Sequence, residues 1–168
     1  EGETALVAGC TLSVAEMVHE SLVKWLNTFD LPNPVESLSS LSDGLILHEI
    51  LRGIAPENFE EGSLKEGVSA NAILKTNNVK RLLKELSSYY ASVLLQDYDT
   101  DAIDASSVAA AHSDEVAKLV EGVLGCAVQC DDKARYIQRI MTLDTAAQKD
   151  MMVLTQRVLQ RGEESAID

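Results

Sequence analysis

Apolar residues recur along this chain at spacings of three and four, the period of a helix with one buried face. The first run is Val14, Met17, Val18, Leu22, Trp25, Leu26 and Phe29, with Ser13 placed as an N-cap. Leu31-Pro32-Asn33-Pro34 stops it, because proline lacks an amide donor and restricts the residue before it. After Gly44 the segment to Leu51 is apolar nearly all round, which predicts a short buried helix. Pro56 closes the connection behind it, and the acidic, glycine-containing stretch 57–70 reads as a loop with room for one helical turn. Asn71 to Leu95 is helical again, with Leu74, Val79, Leu82, Leu83, Leu86, Tyr90, Val93 and Leu94 as its inner face.

Residues 96–112 are polar and alanine-rich and read as a long connection. Ser113 or Asp114 is then expected to cap a helix carrying Val116, Leu119, Val120, Val123, Leu124, Ala127 and Val128. This helix ends at a polar Asp131-Asp132-Lys133 turn. The last element runs from about Asp132 to Gln160, long enough to kink or break. No run alternates convincingly enough to predict a strand, and no internal repeat is present.

Composition supports an all-α reading. The chain has 168 residues, 46% hydrophobic but only 4% aromatic, a size and apolar content that suit one domain with a substantial core. A β-sandwich would be richer in β-branched and aromatic side chains. The formal charge of −13 makes nucleic acid a poor partner and disfavours acidic membranes and acidic protein surfaces, unless a local basic patch overrides it. Three cysteines, Cys10, Cys126 and Cys130, are an odd and sparse set that reads as reduced cytosolic thiols. No basic-plus-apolar leader and no membrane-length apolar run is seen, so direct membrane insertion is not expected. Because the chain starts at Glu1 rather than methionine, it is expected to be a fragment of something longer.

Candidate chemistry is sparse. Asp97, Asp99 and Asp101 share the spacing of an EF-hand loop, with Asp104 behind them. Ala102 stands where the sharp turn needs glycine and Val108 where a bidentate glutamate should close the cage, so a solvated acidic loop is the better reading. Cys126 and Cys130 share a helical face, but no second half-site for zinc is recognisable, which favours buried thiols. His19, His48 and His112 are scattered, and His48 sits in a buried-looking segment as a hydrogen-bonded core residue. No nucleophile elbow, phosphate-cradling glycine loop or H-E-x-x-H is present, so neither enzymatic activity nor a cofactor is expected.

The remaining candidate is the last helix. Ile137, Ile140, Met141, Asp144, Ala147, Gln148, Met151, Met152, Thr155, Val158 and Leu159 trace an apolar-to-mixed stripe. Such a stripe either closes the core, begins a coiled coil, or accepts a partner's helix, a use to which flexible methionines are suited. In the last case Gln148 could fix register by bonding exposed backbone at the end of the incoming helix.

Leu22-Val23-Lys24-Trp25-Leu26-Asn27, Leu41-Ser42-Asp43-Gly44-Leu45-Ile46-Leu47 with Pro56 behind it, and Asn77-Asn78-Val79 resemble a calponin-homology domain. His112-Ser113-Asp114, Leu124-Gly125-Cys126-Ala127-Val128-Gln129-Cys130 and Tyr136-Ile137-Gln138-Arg139-Ile140-Met141 narrow this to the Hook domain, with relatives in the Girdin/Daple family. The resemblance implies a calponin-homology-like bundle (13–128) and an additional C-terminal helix (132–160) that forms a groove, together one domain over 13–160. Residues 1–12 and 161–168 are then flexible ends. It further implies an adaptor of cytoplasmic dynein, which docks an amphipathic helix of the dynein light intermediate chain and engages dynactin through a downstream coiled coil. The fragment would be monomeric, the full-length protein a homodimer, and its place the cytoplasm on microtubules.

The family's groove motif of Gln, Met and Ile falls on Gln148, Met152 and Thr155, the last a departure. Met151, Asp144, Met141 and Leu159 complete the expected partner-binding set. Two other readings compete: a microtubule- or actin-binding module using Lys75, Lys80, Arg81 and Lys84, and a structural cap for the coiled coil.

Overall fold

The computed structural model describes residues 4–7 and 10–167. Seven α-helices are formed among them: α1 (Val14–Leu26), α2 (Leu45–Ile54), α3 (Ala72–Tyr89), α4 (Ala105–Ala109), α5 (Ser113–Ala127), α6 (Lys133–Ile140) and α7 (Thr145–Glu164). None is long and apolar enough to cross a membrane.

Helix α1 starts at a reciprocal cap. Ser13 Oγ accepts from the Glu16 amide, and the Ser13 amide donates to the Glu16 carboxylate, each at 3.1 Å. Its inner face buries Leu22, Trp25 and Leu26 completely. The helix ends at Leu26, three residues before Phe29, because Asn27 bonds both the amide and the carbonyl of Val35 (2.7 and 2.9 Å) and turns the chain back.

Helix α2 begins after Gly44, whose φ of +80° is left-handed and whose absent β-carbon would lie 3.3 Å from Leu64. A side chain at this position would be strained by its backbone and crowded by its neighbour. The 57–70 loop is held down by Phe59, Leu64 and Val68, all buried.

Helix α3 is capped by Asn71 and continues through a π-helical turn, Tyr90–Leu94, to a left-handed Leu95. Within 96–112, expected only as a connection, Asp104 caps the short α4. Helix α5 is the centre of the fold, buried on nearly all sides from Val116 to Ala127. Its Gly122 and Gly125 admit Tyr98 and Tyr90: a β-carbon at either glycine would collide with a tyrosine hydroxyl. The two rings stack 4.6 Å apart, and the Tyr90 hydroxyl donates to the Gly122 carbonyl at 2.7 Å.

Helix α7 packs against α1 and α5. Ser21 on α1 donates to Asp150 (2.7 Å), Lys24 pairs with Asp144 (3.0 Å), and Arg161 reaches Glu121 on α5 (2.7 Å).

Three expectations are corrected and one is met. Thr4–Val7 and Cys10–Ser13 pair as an antiparallel hairpin, where a flexible end and no strand were expected; residues 1–3, 8 and 9 lie outside the described residues. His112, not Ser113 or Asp114, occupies the N-cap position of α5, and both of those residues are already in its first turn. The final element, expected to be long enough to kink or break, does break, into α6 and α7, since Asp144 caps a new helix through the Ala147 amide. At the other end α7 runs to Glu164 rather than fraying at 161, and the chain then pairs with the segment after α3. The Asp97 amide donates to the Ser165 carbonyl (2.9 Å) and the Ile167 amide to the Leu95 carbonyl (2.8 Å).

Candidate interaction groove

Gln148, Met152, Thr155 and Leu159 follow one another at spacings of four, three and four, and so form one flank of α7. The adjoining face, with Ala147, Met151, Leu154 and Val158, is buried against the core. The flank therefore sits at the seam between core and surface, where partial exposure is expected of it.

Its residues fare differently. Met152 and Leu159 are each 37% exposed, and Met141, at the end of α6, is 55% exposed. Thr155 lies on the same flank but is buried, and its hydroxyl has no hydrogen-bond partner among the described residues. Met151 is fully buried and belongs to the core rather than to any surface. Asp144 caps α7 and pairs with Lys24; the lysine ammonium and the Ala147 amide hold its carboxyl below the usual carboxylate range.

Gln148 has a role the sequence did not reveal. Its amide nitrogen donates to the carbonyls of Met141 (2.9 Å) and Leu143 (2.7 Å). These carbonyls lie just past the end of α6, where backbone acceptors lack helical partners. The amide expected to meet an incoming helix is thus already engaged, clasping the turn that joins α6 to α7.

Toward its C-terminal end the flank opens into a depression of about 490 Å³, walled by Leu94, Leu95 and Gln96 on one side and Leu159 and Ile167 on the other. Leu95 and Ile167 are 57% and 47% exposed. With Met141, Met152 and Leu159 they make up most of the exposed large apolar side chains in the C-terminal part of the molecule. Gln96 extends over Gly162 and bonds Gln129 at 2.7 Å, closing the bottom of the depression with a polar pair. Sequence reasoning missed these walls. Periodicity places Leu94 on the inner face of a helix and Ile167 falls in an expected flexible end; only the pairing of 95–97 with 165–167 brings them together.

The other candidates resolve into structural roles. Asp99 accepts from the Asp101 amide, and Asp104 accepts from Ser106 and Ser107. Cys126 and Cys130 are buried free thiols, and burial pushes both above the usual thiol range. Cys10's side chain lies outside the described residues. His48 sits 3.2 Å from the Glu85 carboxylate and 3.0 Å from the Ser63 hydroxyl, a buried polar cluster under the 57–70 loop. His19 lies 3.4 Å from Asp114.

An all-helical, calponin-homology-like bundle whose last helix turns back along it defines the class. The HOOK domain profile matches residues 17–157, and the chain belongs to the HOOK domain family. It is similar to the "Protein hook homolog" of Dictyostelium discoideum, 31% identical over 153 residues covering 90% of this chain, and to the "Protein Hook homolog" of Branchiostoma floridae, 36% identical over 147 residues covering 84%. It spans about a fifth of the length of these relatives, 21% and 20%. Among solved structures, the conserved domain of mouse HOOK1 superposes with a TM-score of 0.78 at 26% identity, covering 96% of both chains.

Proposed function

We propose that this domain is the dynein-recruiting part of a non-enzymatic cytoplasmic adaptor in microtubule-based transport, and that it docks the amphipathic C-terminal helix of the dynein light intermediate chain along the α7 flank. The observation that carries this reading is the concentration of exposed apolar side chains (Met141, Met152, Leu159, Leu95 and Ile167) beside one helix of a strongly acidic domain. Gln148 to Leu159 spans twelve residues, about 17 Å of helix, which matches three turns of an incoming partner. Three or four Phe- or Leu-type anchors, each contributing about 1.5–3 kcal/mol on burial, would supply most of the binding energy. Dynactin would be engaged by a downstream coiled coil, through which the full-length protein dimerises.

The test is a calorimetric titration of this domain with a peptide of the light intermediate chain helix from the same organism, alongside Met152→Ala. The expected result is micromolar binding that the substitution abolishes. A folded domain that fails to bind would remove the adaptor reading and favour a structural cap.

A further inference from the structure

The cations of this molecule are unevenly placed. Residues 62–96 hold Lys65, Lys75, Lys80, Arg81 and Lys84 against only Glu66 and Glu85, in a chain of net charge −13. Glu85 faces inward, with its oxygens 3.2 Å from His48 and 3.4 Å from Arg81. Lys75 stands five residues before Lys80, about 140° round the helix, and so does not share its face. Lys65 takes its place. Reaching over from the preceding loop, it joins Lys80, Arg81 and Lys84 around a depression of about 380 Å³.

This bowl is built rather than incidental. The buried Asn78 side chain accepts from the Lys65 amide (2.9 Å) and donates to the Lys65 carbonyl (2.8 Å), and it also donates to the Asp43 carbonyl (3.1 Å). The main chain that presents Lys65 is therefore fixed to α3 and to the start of α2. No carboxylate lies within ion-pair distance of Lys65, Lys80 or Lys84 among the described residues.

We propose that this bowl binds a compact polyphosphorylated group of the inositol phosphate type, free or as a lipid head group. Its volume falls within the small-ligand range. Three ammonium groups and one forked guanidinium can converge on a single ligand only if that ligand packs several charges closely, as neighbouring phosphates do. An acidic peptide spreads its charge along the chain and would run onto Asp101 and Asp104, which share the adjacent depression with Lys80 and Lys84. Ile73 supplies a means of separating the two sources. It precedes Asn77, Lys80 and Lys84 along the same line of α3 and is 73% exposed, placed to rest at the head-group boundary of a membrane but idle toward a free ligand.

The test uses calorimetry with inositol hexakisphosphate and co-sedimentation with phosphatidylcholine vesicles containing phosphatidylinositol bisphosphate. Lys80→Ala/Lys84→Ala is compared with the distant control Lys133→Ala/Lys149→Ala, and circular dichroism checks that each variant is folded. The expected result is salt-sensitive binding to at least one probe, weakened about tenfold or more in the first pair and little changed in the control. Loss of vesicle binding alone on Ile73→Ser assigns the ligand to a lipid; no effect of that change assigns it to a free phosphate. The proposal is overturned if the wild-type protein binds neither probe, if both pairs behave alike, or if polyglutamate competes as well as the phosphates do.

Discussion

The side-chain amide of Gln148 lies 2.7 Å from the carbonyl oxygen of Leu143, and the same nitrogen reaches Met141. A residue expected to read a partner thus first holds the corner that shapes the groove. Gln148→Ala should leave helix content unchanged by circular dichroism and lower stability by about 1 kcal/mol, because two carbonyls lose their donor. It should also weaken light intermediate chain binding. Unaltered stability with weakened binding would instead mean that Gln148 acts on the partner alone.

Met151 and Met152 are neighbours with opposite fates, one fully buried and the other on the exposed flank. Met151→Ala should cost about 2–4 kcal/mol in urea denaturation, through lost transfer energy and the cavity left behind. Met152→Ala should cost less than about 0.5 kcal/mol and appear only in the peptide titration.

Thr155 is buried with an unpartnered hydroxyl on the flank where the family motif has Ile. Thr155→Val keeps the shape and removes the stranded polar group, so stability should rise by about 1 kcal/mol. A loss on chemical denaturation would show that the hydroxyl is satisfied by water. Since Thr155 offers little surface, its departure from the motif should act on packing beneath the groove more than on contact with the partner.

How much of this was legible depended on what each local pattern could encode. Helix α1 was readable because Ser13, Glu16 and the Leu22–Trp25–Leu26 face all agree, and that face is the buried one. The hairpin was not, because Ala5-Leu6-Val7-Ala8 runs apolar residues together instead of alternating them. Helix α4 has five residues, too few for a period to emerge. The flank of α7 was visible as a stripe, but periodicity ranks Met151 and Met152 alike, and burial separates them only once α1 and α5 are packed in place. The walls at Leu95 and Ile167 meet across more than seventy residues, which no local pattern records.

His48 gives the fold a pH dependence. Burial lowers its pKa below the ordinary 6.5, opposed in part by the Glu85 carboxylate beside it. The unfolded chain then binds a proton more readily than the folded one, so this contribution to stability is full above about 6.5 and is lost as pH falls through the lower folded value. Chemical denaturation across that range should show stability declining on acidification. His48→Gln should flatten the slope, and an unchanged slope would place the titration elsewhere.

Helix α7 behaves mechanically as a beam pinned at both supports. One end is fastened by the Asp144–Lys24 pair and the Gln148 clasp, the other by the two backbone bonds joining 165–167 to 95–97. With Asp150, between these supports, also bonded to Ser21 and the inner face buried, a helix of roughly 30 Å held in this way cannot swing like a lid. A helix docking on this flank would therefore meet a fixed surface, bounded toward α6 by the corner where Gln148 holds the Met141 and Leu143 carbonyls.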